Sequence, residues 1–105
     1  MASVTYSDMM VDDDYSPENE ELEHLYAALM HDNEDTTHLI VGRNTFTNIQ
    51  IIDFMTLAIK YDSIRCIKYF VEVKGIAVKG LGYLTGATSW NSTKAIEYLK
   101  SKGAD

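Results

Sequence analysis

Apolar residues recur at three- and four-residue spacing along most of this chain, which is the pattern of amphipathic helices. The first helix is expected over residues 17–30, because Ser16 suits a helix cap and Pro17 suits the first helical position. Three further helices are expected to begin at the breaks Asp32-Asn33, Asp62-Ser63 and Asn91-Ser92, whose residues are expected to cap them. Others are expected to begin at a capping-box pattern in residues 47–50 and near the glycines of residues 80–86. Helix ends are expected near Val41, Tyr61, Val73 and Lys102. The pattern predicts six helices in three pairs, with a short extended stretch at residues 76–78.

The predicted helix pairs also repeat in sequence. Residues 28–33 (Ala-Leu-Met-His-Asp-Asn) align with residues 58–63 (Ala-Ile-Lys-Tyr-Asp-Ser) after a shift of 30, and with residues 87–92 (Ala-Thr-Ser-Trp-Asn-Ser) after a further 29. Each pair has too narrow an apolar stripe to form a core alone, so the pairs are expected to stack, with Ala58 and Ala87 buried between helices. The expected organisation is an N-terminal arm over residues 1–15 and a repeat domain over residues 16–105, with units at about 16–44, 45–75 and 76–105.

Two segments of this predicted stack resemble the ankyrin repeat family. Residues 93–105 (Thr-Lys-Ala-Ile-Glu-Tyr-Leu-Lys-Ser-Lys-Gly-Ala-Asp) are similar to that family's second helix and its terminal Gly-Ala-Asp, and residues 64–70 are similar to the same helix. The family's Thr-Pro-Leu-His opening is absent, and units shorter than the usual length of about 33 residues imply truncated hairpin fingers. The resemblance implies an all-α fold of three stacked helix-turn-helix repeats that binds another protein.

Three aromatic residues occupy equivalent positions at the ends of the three first helices: His31, Tyr61 and Trp90. The resemblance to ankyrin repeats implies that this location faces partners, and aromatic side chains dominate the energetics of many interfaces. The alternative is that the rings pack between neighbouring units. Truncation of Trp90 distinguishes the two hypotheses, because it weakens partner binding in the first case and unfolds the domain in the second.

Charge is distributed very unevenly along the chain. Residues 1–42 contain eleven acidic residues and no lysine or arginine, whereas residues 43–105 contain nine basic and five acidic residues. An acidic half of this kind favours a partner with a basic surface through its summed field, and it disfavours nucleic acid. Asp12, Asp13 and Asp14 are therefore expected to contribute to partner binding, chiefly through the rate of association.

The N-terminal arm leaves two alternatives open. Its acidic residues can fold back onto the basic residues Arg43, Lys60 or Arg65, or they can remain available to a basic partner. Exposed ion pairs contribute only about 0–1 kcal/mol each, so the apolar residues of the arm would have to supply the holding contacts in either case. Those apolar residues are Tyr6, Met9, Met10 and Val11.

No constellation of catalytic side chains is readable in the sequence. The glycines of residues 80–86 depart from the spacing of a dinucleotide-binding turn, and too few residues follow them for a second strand. His24, His31 and His38 are spaced by seven, but a predicted helix break separates the third from the others. Cys66 stands among apolar residues of a predicted helix, where a small buried side chain is expected rather than a nucleophile. We therefore expect no enzyme, no cofactor and no metal site.

Two functional hypotheses follow from these patterns. The first is a non-catalytic module that binds a partner protein through the concave face of the stack and the acidic N-terminal half. The alternative is a small acidic inhibitor or immunity protein that blocks a basic, nucleic-acid-binding site on a target enzyme. A third and weaker reading is self-association through the C-terminal repeat. Direct binding to nucleic acid or to a membrane is not expected, and the absence of a signal-peptide pattern and of a long apolar run predicts a cytoplasmic protein.

Overall fold

The apolar periodicity of the sequence produces six helices within residues 19–105. The computed structural model describes residues 19–105, with side chains from Glu20 onward. The helices are α1 (Asn19–Met30), α2 (Glu34–Arg43), α3 (Asn48–Lys60), α4 (Ile64–Lys68), which continues into a π-helical turn (Tyr69–Val73), α5 (Tyr83–Ser89) and α6 (Thr93–Ser101). No strand forms within residues 19–105, so the all-α fold class is confirmed for this part of the chain. The predicted arm, the Ser16-Pro17 helix start and Asp12, Asp13 and Asp14 lie outside the described residues.

The helices associate as three consecutive pairs arranged in two rows. Within the pairs, α1 contacts α2, α3 contacts α4, and α5 contacts α6. Between the pairs, α3 contacts both α1 and α5, while α4 contacts both α2 and α6. One row therefore contains the first helix of each pair, and the other row contains the second.

A single apolar core runs through both rows. Among its fully buried side chains are Leu25 of α1, Met55 of α3, Phe70 of the π-helical turn and Leu99 of α6. Ala58 and Ala87 have no exposed surface, which confirms their predicted burial. Phe46, in the segment between α2 and α3, adds an edge-to-face contact with Phe54, their ring centroids 5.0 Å apart.

The predicted capping box at the start of α3 is confirmed. Thr47 accepts a hydrogen bond at its hydroxyl from the Gln50 backbone N–H (3.2 Å), and the Gln50 side chain accepts one from the Thr47 N–H (2.8 Å). At the start of α2, the Asn33 side chain accepts from the Thr36 N–H at 3.1 Å. Both helices are therefore capped by their own flanking residue.

Each first helix ends in the same turn. Asp32, Asp62 and Asn91 have φ values of 57°, 56° and 59°, a left-handed conformation that aspartate and asparagine tolerate better than most residues. The residue after each of them donates its N–H to the carbonyl oxygen of the alanine five positions earlier, at 2.8–2.9 Å. This is the Schellman pattern of helix termination, and it ends α1, α3 and α5 in the same way.

The expected capping role of Ser63 and Ser92 differs from the structure. Both serines stand at the N-cap position but form no side-chain bond to their own helix. The Ser63 hydroxyl instead donates to the Leu29 carbonyl oxygen of α1, and Ser92 donates to the Ile59 carbonyl oxygen of α3 at 2.6 Å. Both side chains are buried and their bonds reach the preceding pair, so the hydroxyls join pairs rather than cap helices.

The aspartates of the turns supply the missing caps from the preceding pair. The Asp32 carboxylate accepts from the backbone N–H groups of Arg65 (2.9 Å) and Cys66 (3.1 Å) at the start of α4. In the same way Asp62 accepts from Ala95 (2.8 Å) and Lys94 (3.3 Å) at the start of α6. Each aspartate thus ends one helix and caps another, which fixes how the pairs sit on each other.

None of the helices within residues 19–105 has both the length and the apolar character that crossing a bilayer requires.

Candidate interaction surface

The repeated turn places His31, Tyr61 and Trp90 at one end of the row of first helices. Each residue directly precedes the left-handed residue of its turn, so the three side chains leave the backbone at equivalent points. His31 is exposed, and the exposed fractions of Tyr61 and Trp90 are 44% and 40%. We call this set the aromatic edge. Because its rings retain large accessible areas, it offers apolar contact surface to a partner.

Two rings of the aromatic edge are positioned by their own helices. The Trp90 ring lies over Gly86, where an added Cβ would stand 3.4 Å from the nearest ring atom. The glycine therefore leaves room for the indole to lie along the end of α5. At Tyr61, the Lys60 ammonium nitrogen lies 5.9 Å from the ring centroid, within cation–π range. Rings held in this way lose less conformational freedom when a partner binds.

Several apolar side chains of the first pair are exposed, which the helical spacing did not predict. Tyr26 and Met30 fit the apolar periodicity of α1, yet both are exposed. Leu39 of α2 is 57% exposed. The Tyr26 ring is only partly covered, by Phe54 of α3, with the two ring centroids 6.1 Å apart. The exposure of these residues depends on how the pairs pack, so the helical spacing alone does not identify it.

The arginines suggested as docking points for the arm already have partners. Arg43 forms an ion pair with Glu21, and Asn44 donates to the same carboxylate at 3.2 Å. The Arg43 hydrogen bond is the main cause that lowers the pKa of Glu21 below its ordinary value. Arg65 lies 3.5 Å from the Asp32 carboxylate and donates to the Asp32 carbonyl oxygen at 2.9 Å. The acidic residues of the first pair are therefore partly neutralised within the described chain.

A groove of about 420 Å³ runs between α1 and α2, on the face of the first pair turned away from the second. We call it the end groove. Its lining residues are His24, Ala27, Ala28, His31, Asn33, Thr36, Leu39, Ile40 and Arg43.

The three evenly spaced histidines do not meet. His24 and His31 line the end groove, whereas the His38 ring lies on the opposite side of α2, with its centroid 4.8 Å from that of Tyr69. Among the described residues, no group of three potential metal-ligating side chains is found.

Cys66 is buried at the start of α4 rather than presented at a surface. Its sulfur lies 3.4 Å from the Thr37 hydroxyl and 3.8 Å from the Ala28 carbonyl oxygen. Burial raises the pKa of the thiol to about 11, so the side chain is neutral at physiological pH. An inaccessible, protonated thiol of this kind packs like a small apolar side chain.

Comparison with known proteins returns no match: no family model fits the chain, and neither a curated protein nor a solved structure is similar to it.

Proposed function

We propose that this chain is a non-catalytic protein-interaction module, a stack of three ankyrin-like repeats that binds its partner through the aromatic edge. The observation that carries this proposal is the exposure of His31, Tyr61 and Trp90 at equivalent positions of three consecutive helix pairs. Aromatic residues that are both partly exposed and held in place are the side chains most often responsible for binding energy at interfaces.

Recurrent contacts between pairs support the repeat interpretation. The bond from Ser63 to Leu29 recurs as the bond from Ser92 to Ile59, and the carboxylate cap from Asp32 recurs from Asp62. Repeat stacks present an extended surface built from equivalent positions, and partners commonly bind along it.

The experiment that tests the proposal begins with capture of partners on the tagged full-length chain from its native cells and identification by mass spectrometry. The affinity of the purified partner is then compared between the parent and Trp90→Ala. We expect a loss of about 2 kcal/mol of binding free energy, typical of an interface hot spot. Ile49→Ala is the matched control, because this exposed residue lies at the other end of its helix from the aromatic edge; its affinity should equal that of the parent.

Urea denaturation of the same variants separates binding from folding. If Trp90→Ala unfolds the chain, the ring is a packing residue and the aromatic edge is not the binding surface. If Trp90→Ala remains folded and binds with the parent's affinity, the proposal is also wrong.

The partner is expected to present a basic surface. Asp12, Asp13 and Asp14 belong to a half of the chain that contains no lysine or arginine before Arg43. Replacement of the three aspartates by asparagine should slow association at low salt and leave the melting temperature nearly unchanged, because long-range charge acts on encounter more than on stability. If the variant associates at the parent's rate at two salt concentrations, the three aspartates serve only solubility.

The second candidate function is a small acidic inhibitor that occupies a basic, nucleic-acid-binding site on an enzyme. The observation that favours it is the composition of the first pair, where six acidic residues stand against the single base Arg43: Glu20, Glu21, Glu23, Asp32, Glu34 and Asp35. This interface would weaken sharply with ionic strength, and a polyanion such as heparin would compete for the same partner. A salt-tolerant complex that heparin does not displace would favour the aromatic edge instead.

A further inference from the structure

A second groove, of about 330 Å³, runs between α4 and α6 in the row of second helices. It is lined by the partly buried side chains of Ile64 and Tyr98 and by the exposed side chains of Lys68, Lys94 and Glu97. We call it the lysine groove. It combines apolar surface with two ammonium groups, and it shares no residue with the aromatic edge.

The Tyr98 ring is held in place at this groove. Its hydroxyl donates to the Glu72 carboxylate at 2.5 Å. The ammonium nitrogens of Lys68 and Lys102 lie 5.7 Å and 5.6 Å from the ring centroid, within cation–π range. The ring and the two ammonium groups therefore keep each other in position, so a ligand that contacts them loses less free energy to the ordering of side chains.

The preceding junction, between α2 and α4, contains the equivalent residues in a closed arrangement. His38 corresponds to Lys68 at an offset of 30 residues, and Tyr69 corresponds to Tyr98 at an offset of 29. The His38 and Tyr69 rings pack against each other with their centroids 4.8 Å apart, and Tyr69 is buried. Tyr98 is only partly buried. Its ring is therefore accessible to a ligand, whereas that of Tyr69 is not.

The basic residues at the two junctions also differ. Arg65 and Lys94 occupy equivalent positions, and each donates its backbone N–H to the aspartate of the preceding turn. The Arg65 guanidinium also lies 3.5 Å from the Asp32 carboxylate and donates to the Asp32 carbonyl oxygen at 2.9 Å. Neither Lys94 nor Lys68 forms an ion pair with any residue in the range 19–105. The second junction thus presents positive charge that the first junction neutralises internally.

Positive charge on this acidic chain is concentrated around the lysine groove. Residues 64–73 and 93–102 contain five basic and two acidic residues, whereas the first helix pair contains one basic and six acidic residues. Of the two acidic residues, Glu72 already accepts the Tyr98 hydroxyl, and within the described chain Glu97 is the one carboxylate of the groove lining. The local excess of ammonium groups favours a ligand that carries carboxylates.

The distribution of charge also favours a short ligand. A long polyanion such as a nucleic acid would experience the acidic residues of the first pair and the net charge of −7 as well as the lysines. A short acidic protein segment can place its charge at the lysines alone. Apolar side chains beside its carboxylates also match Ile64 and the Tyr98 ring, which phosphate groups do not.

We propose that the lysine groove binds a short acidic segment of a partner protein. Carboxylate side chains of the segment contact the ammonium groups of Lys68 and Lys94, and an apolar side chain packs between them on Ile64 and Tyr98. Because the groove and the aromatic edge share no residue, this segment and the ligand of the aromatic edge can be bound independently.

Titration of the ¹⁵N-labelled full-length chain with an acidic peptide, followed by amide chemical shifts, tests the proposal. The probe is acetyl-Ser-Glu-Leu-Glu-Glu-Leu-Glu-Ser-amide, and the control peptide has glutamine in place of each glutamate. At low salt we expect saturable shift changes at the amides of Lys68, Lys94 and Tyr98 with the acidic peptide. The control peptide should bind about tenfold more weakly or less, since it carries no charge for the lysines.

The informative variant combines Lys68→Gln with Lys94→Gln. It should weaken binding of the acidic peptide about tenfold, because it removes both ammonium groups of the lining. The matched control combines Lys74→Gln with Lys79→Gln, which changes the net charge equally at exposed lysines outside the lining. Its affinity should stay within about twofold of the parent's, because distant exposed charges are screened. Equal weakening in the two variants, or the absence of saturable shifts at the groove, would overturn the proposal.

Two further outcomes would also overturn the proposal, because they identify a different occupant. Oligothymidylate that binds at the same amides more tightly than the acidic peptide would identify a nucleic acid as the ligand. Shift changes at these amides when the chain is concentrated without peptide would identify a second copy of the chain.

Discussion

The Tyr83 side chain carries a polar hydroxyl into a buried position. Its ring is buried at the start of α5, and its hydroxyl finds no hydrogen-bond partner among the described residues. The equivalent residue of α3 is Phe54. A buried hydroxyl without a partner costs free energy, so Tyr83→Phe should raise the free energy of unfolding by about 1 kcal/mol. The midpoint of urea denaturation measures the change.

Tyr98→Phe is the control for this prediction. The Tyr98 hydroxyl donates to Glu72 at 2.5 Å, so its removal breaks a bond instead of relieving a deficit. The urea midpoint should then move in the opposite direction. If Tyr83→Phe also destabilises the chain, the hydroxyl has a partner and the assignment of an unsatisfied group is wrong.

Ionisation of the Cys66 thiol is expected to lower the free energy of unfolding at alkaline pH. Its pKa is raised from an ordinary value of 9.0 to about 11, mainly by burial. A raised pKa contributes stability that is fully present below pH 9 and is lost as the pH rises through 11, by roughly 2–3 kcal/mol. Urea midpoints at pH 8 and 11, compared between the parent and Cys66→Ala, isolate this contribution from that of other groups. Parallel pH profiles for the two proteins would contradict it.

At the scale of elements, the aspartate turns join one helix pair to the next. Asp62 ends α3 and caps α6, and a glycine at this position would keep the left-handed backbone while removing the carboxylate. Asp62→Gly should therefore destabilise the chain by about 1 kcal/mol, the usual contribution of a helix cap. Faster amide exchange at Lys94 and Ala95 would locate the loss at the start of α6.

Asn91→Gly is the matched control, since Asn91 has the same backbone conformation and caps no helix of the described chain. Its stability should equal that of the parent. A loss as large as that of Asp62→Gly would assign the effect to the turn itself rather than to the cap.

The same turns show why sequence reasoning predicted the helices better than the contacts between them. Helix positions follow from local periodicity and breaks, and both were readable around Asp32 and Asp62. The bonding partners of the Ser63 and Ser92 hydroxyls were not readable, because these partners are carbonyl groups 34 and 33 residues earlier in the chain. The exposure of Met30 likewise depends on which face the neighbouring pair covers.

The equivalence of the three aromatic positions could be read from the sequence, whereas the end groove could not. The alignment of units placed His31, Tyr61 and Trp90 at equivalent positions, and these positions share one turn geometry in the structure. The end groove was not predicted, since it exists only because α1 and α2 lack a preceding neighbour among the described residues. A local pattern identifies which residues are equivalent, whereas the order of the stack decides which of them remain uncovered.

At the scale of the whole molecule, the central pair is packed on both sides and should tolerate added volume least. Ala58 is fully buried in α3, the helix that contacts both α1 and α5. Ala58→Leu should therefore overpack the core and cost about 1–3 kcal/mol of unfolding free energy. Ala28 is the equivalent residue of α1, but it borders the end groove, so Ala28→Leu can direct its larger side chain into open space. Its cost should be smaller, as measured by urea denaturation of both variants. Equal losses of unfolding free energy in the two variants would mean that the first pair is packed as tightly as the second. If Ala58→Leu is as stable as the parent, Ala58 and Ala28 are not equivalent positions of a stack.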